Sequence, residues 1–232
     1  MGIPEAVQLL LKRPDVDPNL FDYDIQTPLL FAVTNWNHEA MQLLLERADV
    51  DPSLADKDGQ TPLLLAVANG NHEAMQLLLE QADVGPNLAN KDGQTLLFLA
   101  IEMGHHQALQ LLLEQTDVDP NLTDKDGRTP LLFATEMGSQ GAVQLILKRA
   151  GVNPNLADKD GRTPLSWAAA TRSQGVVQLL LERDDIDPSI ADSNGLTPLK
   201  WATRNWHPRI VGLLLEYRSR TILKTIRRPR RS

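Results

Sequence analysis

The sequence predicts an all-α fold, a solenoid of stacked helix-turn-helix units. Three observations predict it. Thr27, Thr61, Thr95, Thr129, Thr163 and Thr197 recur at intervals of 34 residues, and Ala32, Ala66, Ala100, Ala134, Ala168 and Ala202 follow each at a fixed offset. Self-similarity at such a period is the mark of an array. Within each period two short apolar stripes are divided by a turn residue. Neither stripe can be buried by its own helix, so stability has to come from stacking unit on unit.

The unit around Asp56 shows the elements in order. Thr61-Pro62 reads as a helix start, the hydroxyl capping free N–H groups and proline tolerated at the first helical position. Leu63, Leu64, Ala66 and Val67 give a first short helix, which Gly70 breaks. Asn71 or a neighbour opens a second helix with Ala74, Met75, Leu77, Leu78 and Leu79 on its apolar side. The segment ADVGPNLANKDG, with Pro86 and Gly93, is a turn-rich passage to the next unit.

The words TPLLLAV, TPLLFAT and TPLSWAA resemble the ankyrin repeat, with one residue added to the common length of 33. Tetratricopeptide repeats share the period, but their Trp, Leu-Gly and Tyr pattern is missing. The resemblance covers residues 3 to 217, and the style NLADKDGRTPLSWAA is similar to fungal ankyrin arrays. It implies L-shaped helix pairs with projecting β-turn fingers, and partners bound on the concave face of fingers and first helices. The expected organisation is a half repeat at 1–21, six units starting near 22, 56, 90, 124, 158 and 192, and a basic tail at 218–232. Departures mark particular units. Tyr23-Asp24-Ile25 stands where other fingers carry a Lys-Asp-Gly type turn, which puts that turn in question. Leu96 replaces the helix-opening proline, and Trp36, Arg172 and Trp206 replace the glycine between helices.

Composition narrows the chemistry. The chain has 232 residues and no cysteine, which removes disulfides, thiolate nucleophiles and Cys-based zinc sites, and fits a reducing compartment. With no apolar run of spanning length, it reads as soluble, intracellular and cytoplasmic, with the tail as a candidate nuclear import signal. The net charge of −7 is uneven: residues 1–195 hold 13 Lys and Arg against 29 Asp and Glu, while residues 196–232 hold 10 against the single Glu216. An acidic body favours a basic partner segment, and the basic end of one molecule could meet the acidic body of another. The seven cations from Arg218 onward suit phosphates of nucleic acid or an anionic membrane as well as a solvated end on which Ile222, Leu223 and Ile226 fold back over the last repeat.

Motifs that suggest catalysis or metals fare poorly. DVDPNL at Asp117 has the opening oxygens of a calcium loop, yet Leu122 and Arg128 stand where glycine and a bidentate Glu are required. His38, His72 and His106 fall in register, but units about 10 Å apart hold them too far from one another for one ion. No nucleophile elbow or phosphate loop is present, and the expected cofactor is none. If the chain were an enzyme on this scaffold, Glu102, His105, Glu136 and Arg172 are the first suspects.

The leading expectation is a non-enzymatic scaffold or adaptor that binds a protein or peptide. Its candidate contacts are two charge ladders on the finger tips, Lys57, Lys91, Lys125 and Lys159 beside Asp58, Asp92, Asp126 and Asp160, with Gln60, Gln94, Arg128 and Arg162 on the same edge. The varied positions Thr34, Asn35 and Trp36, Glu102 and Met103, Glu136 and Met137, and Thr171 and Arg172 are expected to set specificity. Trp167 and Trp201, standing where other units have Leu65 and Leu99, are expected in the core.

Overall fold

The computed structural model describes residues 13, 15–81, 84–90 and 92–227, with side chains to residue 221. Lys91, residues 1–12 of the half repeat, the side chains of Ile222, Leu223 and Ile226, and residues 228–232 of the tail lie outside the described residues. Among the described residues there are twelve helices and no strand beyond one isolated bridge between Ala89 and Thr95. They are α1 (Pro28–Thr34), α2 (His38–Leu45), α3 (Pro62–Ala68), α4 (His72–Leu79), α5 (Leu96–Glu102), α6 (His106–Glu114), α7 (Pro130–Glu136), α8 (Gln140–Lys148), α9 (Pro164–Ala170), α10 (Gln174–Leu181), α11 (Pro198–Arg204) and α12 (Pro208–Arg227).

The helices fall into two compact units, residues 1–119 and 120–232. In each, a first helix packs on its own second helix and on the first helix of the following pair, and second helices pack on second helices. This is the all-α solenoid arrangement. The threonine ladder explains the first helices. Thr27, Thr61, Thr129, Thr163 and Thr197 each stand in extended backbone and accept a hydrogen bond from the N–H three residues on, with proline next in line. Thr95, followed by Leu96, is the exception: its side chain makes no cap, and its buried Oγ1 has no hydrogen-bond partner. The alanine ladder is equally structural, since Ala32, Ala66, Ala100, Ala134, Ala168 and Ala202 are all 3% exposed or less. A methyl group is what fits where first helices meet.

The six fingers share one geometry. The oxygen Oδ1 of Asp22, Asp56, Asn90, Asp124, Asp158 and Asp192 accepts the N–H groups two and four residues later. The turn Tyr23-Asp24-Ile25 closes in the same way, with Ile25 N–H on the Asp22 carbonyl at 3.1 Å. Ile25 does so at φ +59°, in the left-handed region where Gly59, Gly93, Gly127, Gly161 and Gly195 stand in the other fingers. Trp36, Arg172 and Trp206 likewise adopt φ of +55°, +63° and +57° at the turn between helices, where Gly70, Gly104 and Gly138 stand elsewhere. The hydrogen-bonded turn dictates the conformation, and four residues with a Cβ accept it at a cost of about 1–2 kcal/mol each.

An asparagine clamp recurs within each of the two compact units. Asn19, Asn87, Asn121 and Asn155 each donate Nδ2–H to a backbone carbonyl 30 residues on, and accept through Oδ1 the N–H 32 residues on. Ser53 holds the same register and bonds Asp51 instead. At the carboxyl end, α12 runs unbroken past residue 217 to Arg227, so residues 218–227 of the basic segment extend the last helix. No proline or glycine interrupts it after Gly212, and Glu216 pairs with Arg220 one turn on.

Candidate functional site

The finger edge of the unit formed by residues 120–232 carries a row of guanidinium groups over aromatic rings. Arg128 lies 5.1 Å from the Phe133 ring centroid, and Arg162 lies 5.0 Å from that of Trp167 and 4.9 Å from that of Trp201. Arg204 covers Trp201 as well, at 5.7 Å. These distances are within cation–π range. The rings are fixed from below by the same carboxylates that close the fingers: Trp167 Nε1–H donates to Asp158 Oδ2 at 2.8 Å, and Trp201 Nε1–H to Asp192 Oδ2 at 2.9 Å. Trp167 and Trp201 are therefore half-buried walls of this edge and not core residues, as are Leu65 and Leu99 at the same register. The indole N–H needs an acceptor, and the finger Asp supplies one outside the apolar layer.

The arginines differ in what occupies them. Arg128 is committed: it bonds Asp124 at 2.7 Å and Glu136 at 2.8 Å and lies 3.3 Å from Asp126. Burial opposes its charge, but the hydrogen bonds it donates to Asp124 and Glu136 outweigh burial and hold it above the usual arginine value. Arg162 makes no side-chain hydrogen bond. Its nearest acid is Asp192, 3.9 Å from Nε, and Nε itself is buried without a partner. Burial works against the charge on Asp192, which is 6% exposed; the N–H of Leu196, the Trp201 indole, the N–H of Asn194 and the charge of Arg162 together hold its carboxyl below the usual range.

The expected contact residues fall as follows. Lys57, Asp58, Asp92, Lys125, Asp126, Lys159 and Asp160 are exposed on finger tips, with Gln60 and Gln94 half-buried beside them. Lys159 N–H donates to the Asp126 carbonyl and Ser193 N–H to that of Asp160, so successive fingers touch through their backbones. A Cβ on Gly161 would come within 3.1 Å of Ser193 N, which is why the close approach needs glycine there. Thr34, Asn35, Trp36, Glu102, Met103, Met137, Thr171 and Arg172 are exposed at the ends of first helices. Trp36 is 52% exposed, Met103 50% and Met137 53%, so none of the three fills a gap between helices.

The four residues suspected of chemistry are divided between the two compact units, Glu102 and His105 in residues 1–119 and Glu136 and Arg172 in residues 120–232. His105 stands at the N-cap position of α6 without a side-chain capping bond and sets Nε2 3.2 Å from the Ala68 carbonyl, its ring packed over Gly70. Glu136 serves Arg128. Cavities of about 360, 360 and 310 Å³ lie on other surfaces, and Glu102, His105, Glu136 and Arg172 line none of them. His38 bonds Asn71 and Glu73 of the next unit, at 3.1 and 2.8 Å. Among the described residues no group of His, Asp and Glu is arranged to hold a metal ion, and no helix is long and apolar enough to cross a membrane.

The family model for ankyrin repeats matches residues 2–87, 82–158 and 141–225. The chain belongs to the ankyrin-repeat family. No curated protein matches the sequence. Among solved structures, the ankyrin repeat domain of Bcl-3, a member of the IkappaB protein family, superposes with a TM-score of 0.79 at 28% identity, covering 92% of each chain. The ankyrin repeat protein EF0377 gives 0.75 at 26%, covering 82% of this chain and 97% of its own. An ankyrin repeat domain from Acinetobacter baumannii AYE gives 0.74 at 28%, with the same coverage. Ankyrin repeats are in general protein-interaction modules, and this chain has the helix pairs and fingers of that family.

Proposed function

We propose that this ankyrin-repeat chain is a protein-binding scaffold whose contact surface is the side formed by the fingers and the ends of the first helices. One observation carries the reading. Trp36, Arg172 and Trp206 hold left-handed backbone conformations that glycine would adopt without strain, and their side chains are exposed, Trp206 at 88%. Packing does not reward them. Strain retained on an exposed aromatic or arginine points to use by a partner, because such residues are favoured anchors of interfaces. Met103 and Met137 add adaptable apolar contact at the same ends of first helices.

The partner is read as a protein with a basic segment. Residues 1–195 carry a large acidic excess, which draws cations during encounter and acts over about 8 Å at physiological salt. Closer contact is decided by the local side chains.

The test compares capture by three forms of the chain: native, Trp36→Ala/Met103→Ala/Met137→Ala, and a control with alanine at the exposed second-helix residues Gln76, Gln110 and Gln178. A partner retained by the native chain and the control but lost by the first variant is the expected result. Equal retention by all three forms contradicts the surface assignment.

A further inference from the structure

We propose that Arg162, set over Trp167 and Trp201, is a receptor for a carboxylate side chain on an acidic stretch of the partner, separate from the basic segment that the acidic body draws in; this rests on the binding reading above and names the chemistry of one contact. The case begins with what the guanidinium lacks. Arg162 is one-quarter exposed, makes no side-chain hydrogen bond, and has only Asp192 near it, at 3.9 Å from Nε. Nε is the one fully buried nitrogen of the group, and neither Nη makes a hydrogen bond. Arg128, at the equivalent position one unit earlier, shows the occupied state: its fork is filled by Asp124, Asp126 and Glu136. The counterpart of Glu136 in the Arg162 unit is Ala170. The acid that completes the first fork is thus absent from the second.

The surroundings are built to keep that fork in place. Two indole rings about 5 Å from the guanidinium limit its motion, and each ring is locked by a hydrogen bond to a finger carboxylate. A planar cation already held in one orientation loses little freedom on binding, and its paired donors match a carboxylate in bidentate geometry. The neighbouring acids do not compete for it at hydrogen-bond distance. Asp158 and Asp192 each accept two finger N–H groups on Oδ1 and an indole N–H on Oδ2. Arg204 places a second cation on Trp201, also with no side-chain hydrogen bond. Two like charges against one indole repel each other, and an anion received there relieves that repulsion. The exposed Asp160 on the finger tip opposes an incoming acid, so the ligand is expected to approach along the first helices.

The experiment uses the full chain labelled with ¹⁵N and follows the indole N–H resonances of Trp167 and Trp201, assigned by Trp167→Phe and Trp201→Phe. The probes are acetylated, amidated hexaglutamate, hexaglutamine and inorganic phosphate at constant ionic strength. The expected result is a saturable shift of both resonances with hexaglutamate and none with hexaglutamine. Binding should weaken at least tenfold in Arg162→Gln, should not be restored by Arg162→Lys, and should weaken by a smaller factor in Arg204→Gln. Absence of a saturable shift, equal binding by Arg162→Gln, or the same shifts from phosphate alone overturns the proposal. Such a failure leaves the capture experiment unaffected, and loss of the capture result leaves the hexaglutamate titration to stand or fall by itself.

Discussion

Among individual residues, backbone strain separates those that serve the fold from those that do not. Ile25 is the clearest case, a β-branched side chain at φ +59° in a finger where five other units use glycine. Ile25→Gly removes about 1–2 kcal/mol of left-handed strain and adds about 0.5–1 kcal/mol of unfolded-chain entropy. A net gain of roughly 0.5–1 kcal/mol in urea unfolding is the expected outcome, whereas Ile25→Ala, which keeps a Cβ, should bring no such gain. A loss on Ile25→Gly would mean that the half-exposed side chain makes contacts worth more than the strain. Arg162 and Arg128 illustrate another residue-level difference. The same residue type at the same register is a filled structural link in one unit and an open donor in the next, because Glu136 is replaced by Ala170.

The helix pair and its joints are where the sequence was most and least legible. Threonine, proline and alanine at a fixed period specify the start and packing of every first helix, because each acts within a few residues of itself. The finger Asp was legible as a turn residue for the same reason. The asparagine clamps were not, although Asn19, Asn87, Asn121 and Asn155 also recur with the period. Their partners are backbone groups 30 to 32 residues away, which no local pattern reveals. Asn87→Ala leaves the Asp117 carbonyl and the Asp119 N–H without these bonds and should cost about 1–2 kcal/mol in denaturant unfolding. A change below a few tenths would show that water replaces the clamp freely. Trp167 and Trp201 depart from expectation for a related reason: substitution for leucine suggests core, but the half-buried register of Leu65 and Leu99 is set by the finger of the same repeat. In the basic segment, where charge runs are commonly solvated, the helix formers after Gly212 carry α12 through to Arg227.

At the scale of the whole molecule, the chain gains stability by repetition and gains specificity where repetition fails. The finger carboxylates, threonine caps and alanine contacts vary little from unit to unit. Trp36, Met103, Met137, Arg172 and Trp206 break the pattern, all of them with exposed side chains. Within each compact unit the binding reading therefore depends on one asymmetry, between the fingers and first-helix ends and the second helices. Hydrogen exchange of the chain with and without its captured partner measures that asymmetry most directly. The account predicts slowed exchange in the fingers around residues 57–59, 125–127 and 159–161 and at the turns following α1, α5, α7 and α9, with α4, α6, α8 and α10 unchanged. Protection concentrated on α4, α6, α8 and α10 instead would place the partner on the second helices and contradict it.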